Sequence, residues 1–244
     1  MTADLPTPEP RERRAIGSSS GGAGVICLQG GRELTPPCDA MDVAVLDRCT
    51  GTVVVLAGSA RRGSDYAGSS ARTVAHYARL GVAVAVVPDP RDDPAAALDR
   101  LDDDIGLVVM PGGSPGALLD VLTVVGNGAI GARMVELWAA GTAISGASAG
   151  AMVLCSHMVN PERGGVVDGL GLVPGLAVPH WSTGSERRWS LAESGPGSLL
   201  WGLPECGGVL IDGDTMVALG QGAAAVRVNG NWTSVSRTDP HPLP

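Results

Sequence analysis

From Gly24 onward the chain alternates short, almost wholly apolar runs with segments of helical periodicity, and this pattern constrains its fold more than any other feature. The runs at 25–28, 52–57, 82–87, 105–110 and 142–145 each soon give way to Gly, Pro or another small residue. An uninterrupted apolar run bounded in this way reads as a strand buried on both faces. Helices are expected between the runs at 40–48, 69–80, 94–101, 115–122 and 131–140, the last carrying Met134, Leu137 and Trp138 on one face. The alternation predicts an α/β fold with three layers, in which helices cover both faces of a mostly parallel central sheet.

The chain has 244 residues, which suits one domain able to bury a full core without disulfides or metals. Phe is absent, so Val, Leu, Ala and Ile must fill that core, and 36 Gly imply many tight turns. The formal net charge is −8, and all 17 cations are Arg. That balance argues against a nucleic-acid binder, which needs a basic face, and the lack of Lys removes Walker A and Schiff-base chemistry. Cys27, Cys38, Cys49, Cys155 and Cys206 are odd in number and lack C-x-x-C spacing, which speaks against a disulfide framework or structural zinc and for a reducing compartment. Residues 1–22 are rich in Pro, charge and Ser/Gly and contain no apolar signal-like stretch, and no run approaches the length of a membrane span. The expectation is a soluble cytoplasmic protein with a flexible arm at 1–22, a domain at 23–236 and a Pro-rich loose tail at 237–244.

After Ala149 a helix is expected to about His157, followed by Gly/Pro-rich loops through Pro179. Residues 207–236 read as short strands broken by Asp212-Gly213 and Asn229-Gly230, the turn signals of a C-terminal antiparallel β-meander.

Gly146-Ala147-Ser148-Ala149-Gly150 fits G-x-S-x-G, the strand-to-helix elbow that exposes a nucleophilic serine. An apolar strand (Thr142-Ala143-Ile144) precedes it and an apolar helix (Ala151-Met152-Val153-Leu154) follows, which is the context the motif requires. Such a serine needs a base. Of the four histidines, His241 lies in the tail, His76 within a helix pattern and His157 at a helix end, whereas His180 closes the apolar run 176–181 in a loop. The short interval between Ser148 and His180 leaves no room for further strand–helix units, so the order Ser, His, acid fits better than the α/β-hydrolase order Ser, acid, His.

With the elbow G-A-S-A-G, the chain carries an upstream P-G-G-S-P-G-A-L-L, a loop G-L-G-L-V-P-G-L-A-V-P-H-W and a later G-L-P-E. In this order, with L-Q-G-G-R-E-L near the first strand, these motifs resemble the cyanophycinase and dipeptidase E family of serine peptidases, which have the class I glutamine amidotransferase-like fold. The resemblance spans roughly residues 24–228. It implies Ser148 as nucleophile, His180 as base and Glu205 as third member of the triad. Glu162 is the alternative third member, near where dipeptidase E places an acidic residue. It also implies Gly112 or Gly113, with Ala149, as oxyanion-hole N–H donors, and glycine suits that close approach of backbone to substrate. Ser114-Pro115 also reads as a helix cap. Arg187 and Arg188 fall roughly where the family places arginines that meet a substrate carboxylate. Before His180 the chain has Val178-Pro179, where cyanophycinases have Asp-Gln and dipeptidase E has Asn-Pro.

The function so implied is a serine hydrolase that cleaves a peptide or isopeptide bond next to an Asp-type residue, with no metal and no cofactor. Its partner is a small peptide or isopeptide substrate, with no nucleic acid or membrane. Apolar positions suit either core or dimer contacts, so a homodimer stays open. Glutamine amidotransfer is disfavoured because relatives on that fold use Cys at the elbow. Two other readings stand beside it: a catalytically silent binding or scaffold protein, and an α/β-hydrolase-type esterase. Other signals are discounted. Gly126 to Gly131 spells G-x-G-x-x-G but lies between helix-like segments, Asp212-Gly213-Asp214 is a hairpin turn, and Asn231-Trp232-Thr233 is a sequon without a leader. Cys155 reads as a small buried hydrophobe.

Overall fold

The computed structural model describes residues 22–162, 164–182 and 199–244. Five strands form the parallel half of a central sheet: β1 (Ile26–Gln29), β2 (Thr52–Val55), β3 (Val84–Val86), β4 (Ile105–Met110) and β5 (Ala143–Ala147). Three further strands, β10 (Gly207–Asp212), β11 (Thr215–Gly220) and β14 (His241–Pro242), extend it antiparallel, giving the order β14-β11-β10-β1-β5-β4-β2-β3. β1, β4 and β5 are buried along their whole length, which is why they read as continuous apolar runs. The crossovers are α1 (Asp39–Leu46), α2 (Ser64–Arg79), α3 (Pro94–Arg100), α4 (Pro115–Thr123) and α5 (Ala129–Ala139), and α6 (Ala149–Leu154) follows β5. Asp93 and Ser114 cap α3 and α4, each accepting a backbone N–H at 3.0 Å ahead of a Pro in the first turn. Without Phe, the largest wholly buried side chains among the described residues are Trp201 and Tyr77, set among Leu, Ile and Met. Among the described residues no single helix is long and apolar enough to cross a membrane.

Five expectations need correction. α2 starts at Ser64, five residues before 69, because Tyr66 is buried in its first turn and its hydroxyl donates to Val87 O at 2.7 Å. The helix after Ser148 stops at Leu154, and Cys155–Val159 forms β6 instead of continuing it. The stretch expected as loops contributes β7 (Val166–Asp168) and β8 (Val173–Val178). These belong to a second sheet that also holds β9 (Leu200–Gly202), β12 (Ala225–Val228) and β13 (Asn231–Ser234), in the order β13-β12-β9-β8-β6-β7. Pairing with β7 and β8 satisfies the backbone of 155–159, which outweighs the helical preference of the preceding residues. The Asp-Gly and Asn-Gly turns do make hairpins, but β10–β11 joins the central sheet and β12–β13 the second one. Finally, His241–Pro242 of the tail pairs with Thr215 and Met216 at the sheet edge, a position where Pro is tolerated.

Candidate active site

The elbow sits where β5 ends between β1 and β4. Ser148 has φ 48° and ψ −102°, a conformation that costs a non-glycine residue about 1–3 kcal/mol and must be held by its surroundings. Ser148 N–H donates to Gln29 O at 2.9 Å, and Ser148 O accepts from Met152 N at 3.0 Å. A Cβ on Gly146 would lie 2.5 Å from Gly150 C, and one on Gly150 would lie 2.4 Å from Met110 O, so both glycines of the motif are sterically required. Ala149 opens α6, so its N–H has no intrahelical acceptor.

His180 follows β8, with φ 54°. Its N–H donates to Gly30 O at 2.8 Å, and Trp181 N–H to Leu203 O at 2.9 Å. Trp181 lies over Gly202 and stacks on Trp232 at 4.1 Å between ring centroids, which fixes the turn that carries the imidazole. His180 Nε2 is 3.2 Å from Ser148 Oγ, and His180 Nδ1 is 3.2 Å from Glu205 Oε1. Glu205 lies between β9 and β10, with Arg32 Nη1 3.7 Å from its other oxygen. His180 and Glu205 are each about half exposed, 52% and 47%, so these contacts form at a solvated rim where ion pairing alone is worth little.

The end of β1 ties these parts together. Three successive carbonyls, Gln29 O, Gly30 O and Gly31 O, accept the N–H groups of Ser148, His180 and Cys206, the last adjoining Glu205. A Cβ on Gly31 would lie 2.4 Å from His180 Cε1, so the imidazole rests on bare backbone. Sequence reasoning noted L-Q-G-G-R-E-L but gave these glycines no role.

Gly112 and Gly113 follow β4 beside the serine, and an added Cβ on Gly112 would be 3.2 Å from Ser148 Cβ. Two polar residues that the sequence did not single out hold this loop. Glu33 Oε1 accepts the Gly112 N–H at 2.7 Å, and Ser59 Oγ lies 2.8 Å from Pro111 O and 2.9 Å from Gly112 O. A cavity of about 500 Å³ opens beside Glu33, lined by that residue with Thr35, Arg72, His76, Pro111 and Gly112 among others. Beneath it a buried network holds β1, α1 and α2 together: Asp42 accepts from Gln29 Nε2 at 2.8 Å and lies 2.7 Å from His76 Nε2. Above that pair Arg79 binds Asp39 through two 3.0 Å contacts, which holds the Asp39 carboxyl below its usual range.

Of the sequence-derived candidates, the structure brings together Ser148, His180, Glu205, Gly112, Gly113 and Ala149. Glu162 goes elsewhere. It accepts a short hydrogen bond from Ser114 Oγ at the start of α4, where a carboxylate complements the helix dipole, so it is Glu205 and not Glu162 that meets His180. Arg187 and Arg188 lie outside the described residues. His157, expected at a helix end, sits on β6 beside Asp168. Cys155 is fully buried and burial pushes its thiol up to about 12, which makes it inert. Gly126 and Gly128 fall in a 3-10 turn before α5. Among the described residues no group of three or more His, Cys, Asp or Glu could hold a metal ion.

The sequence model of peptidase family S51 matches residues 47–219. Solved structures with a similar fold include a peptidase from an acI-B1 Actinobacterium, with TM-score 0.73 and 20% identity over 91% of this chain and 98% of that one. A putative peptidase E protein from Listeria monocytogenes EGD-e has TM-score 0.63 and 16% identity over 82% of this chain and 100% of that one. No curated protein matches the chain.

Proposed function

From the premise that this chain belongs to peptidase family S51 and is a serine-type peptidase, we propose that it cleaves a peptide or isopeptide bond through a Ser148 acyl-enzyme, with His180 and Glu205 completing the triad. The observation that carries this reading is the continuous chain Ser148 Oγ, His180 Nε2, His180 Nδ1, Glu205 Oε1, with two contacts of 3.2 Å. A carboxylate at Nδ1 selects the tautomer protonated there, leaving Nε2 free to accept the serine proton. Ser148 Oγ attacks the scissile carbonyl carbon as its proton passes to Nε2. Glu205 stabilises the imidazolium, and backbone N–H groups of Ala149 and the glycine loop receive the oxyanion. The imidazolium then protonates the leaving amine. In the second half, His180 takes a proton from water, the resulting hydroxide attacks the acyl carbon, and Ser148 regains its proton as the acid departs.

The preferred substrate is one with an Asp-type residue beside the scissile bond. Family membership supports this, since S51 includes dipeptidase E and cyanophycinase, and so do Arg32 at the rim and Arg72 in the adjoining cavity. A fluorophosphonate probe tests the mechanism, with native chain, Ser148→Ala and His180→Ala compared and the labelled residue read by mass spectrometry. Labelling at Ser148 that both substitutions abolish is the expected result. Folded native protein that takes no label would overturn the reading in favour of a silent binding protein. Hydrolysis of aspartyl peptides no faster than of their asparaginyl counterparts would overturn the acidic preference alone.

A further inference from the structure

Two consecutive peptide units of the glycine loop are held, the first at both ends and the second at its carbonyl. In the Pro111–Gly112 unit, Glu33 accepts the N–H at 2.7 Å and the Ser59 hydroxyl is 2.8 Å from the carbonyl. A trans peptide is planar with N–H and C=O on opposite edges, so contacts at both ends fix its plane. In the next unit, Gly112–Gly113, the carbonyl also faces Ser59 Oγ, at 2.9 Å. By the same planarity, the Gly113 N–H points to the edge away from Ser59, and no acceptor among the described residues takes it. Ser59 O accepts the Ser114 N–H at 2.9 Å and closes the loop behind these units. There is no slack on either side. A methyl group at Gly112 would touch both Glu33 Oε1, at 2.7 Å, and Ser148 Cβ, at 3.2 Å, while one at Gly113 would be 2.6 Å from Ser59 O.

On the serine-peptidase reading given above, we propose that Glu33 and Ser59 are positioning residues of the oxyanion hole. They lock the glycine loop so that the N–H of Gly113, and not that of Gly112, joins Ala149 in receiving the oxyanion. The Gly112 N–H is already engaged by a carboxylate, and a charge-assisted bond of this kind is about twice as strong as a neutral one. The N–H groups of Gly113, in the loop beside the serine, and of Ala149, next to it in sequence, have no partner among the described residues.

The test is the second-order rate of Ser148 labelling by a fluorophosphonate, whose attack develops negative charge on the phosphoryl oxygen in the same hole. It compares native protein with Glu33→Ala, Glu33→Gln and Ser59→Ala. Loss of one oxyanion donor costs about 10²–10³-fold, so loosening one is expected to slow Glu33→Ala and Ser59→Ala by at least about tenfold. In Glu33→Gln the side-chain amide oxygen still accepts the Gly112 N–H, so this variant is expected to stay within about threefold of native, a rescue that a general loss of packing would not produce. Glu33→Ala labelling as fast as native, or faster, would overturn the proposal by showing that the carboxylate is idle or obstructs the hole. Glu33→Gln as slow as Glu33→Ala would overturn it too. If Glu33→Ala does not fold, Glu33→Gln and Ser59→Ala decide the matter. Native protein that never labels at Ser148 refutes the peptidase reading and this proposal with it, whereas labelled native protein with unaffected variants refutes the proposal alone.

Discussion

Replacing Gly31 by Ala should silence the enzyme while leaving it folded. The new Cβ would lie 2.4 Å from His180 Cε1 and 2.9 Å from Nδ1. Carbon atoms in contact sit about 3.5–4.0 Å apart, so the imidazole must retreat by roughly 1 Å or more. Because the ring is 52% exposed it can swing outward into water, which limits the damage to the core. Both 3.2 Å contacts of the triad break when it does. Displacement of a catalytic group by about 1 Å costs on the order of 100-fold in rate. Gly31 also has φ 125°, where Ala is strained, adding about 1–3 kcal/mol of destabilisation. In a chain of this size each kcal/mol lowers Tm by about 2–4 °C. The assay pairs the fluorophosphonate labelling rate with a thermal melt. The expected result is a labelling rate down by about two orders of magnitude with a melt lowered only by several degrees. A Gly31→Ala protein that labels at the native rate would refute the claim that the bare β1 backbone sets the imidazole position.

Glu205→Gln should lower the labelling rate by roughly 10²–10⁴-fold, since the amide no longer stabilises the imidazolium, whereas Glu162→Gln should leave the rate unchanged. Gly150→Ala places a methyl group 2.4 Å from Met110 O, a backbone atom that cannot step aside, and should cost about 3 kcal/mol or more in a urea denaturation series. Iodoacetamide at pH 8 should modify the half-buried Cys49 well before Cys27 or Cys155, whose thiols burial raises to about 12, as read by peptide mass mapping. Arg79 lowers the folded-state pKa of Asp39, so this pair contributes its stability above the ordinary carboxylate value of 3.8 and loses it as pH falls through the lower folded value. Arg79→Ala should therefore lower the melting temperature at pH 7 and converge on the native curve in strong acid.

The parallel half of the fold was legible because β1, β4 and β5 are buried on both faces and must be apolar throughout. Ser148 and His180 were legible because the elbow needs glycines at fixed offsets and only one histidine ended an apolar run in a loop. The second sheet was not. Cys155–Val159 follows a good helical run without a break, and only its partners β7 and β8 make it a strand. The choice between Glu205 and Glu162 was closed to sequence reasoning for a related reason, since it depends on which loop folds back over β8. Glu33 and Ser59 were missed because each is a single polar loop residue whose role exists only across the chain, through contacts to Gly112 and Pro111.

The three carbonyls at the end of β1 also determine when the site can come into being. Gln29, Gly30 and Gly31 lie near the start of the chain, yet the N–H groups they hold belong to residues 148, 180 and 206. Contacts so distant in sequence carry a large loop-closure cost and form late. A nascent chain that stops short of residue 205 would hold the serine and the histidine without the carboxylate that meets Nδ1, so the centre is complete only once all three segments have been made. One strand end sets the register of all three segments, and a slip of a single residue at β1 would dismantle the whole centre together.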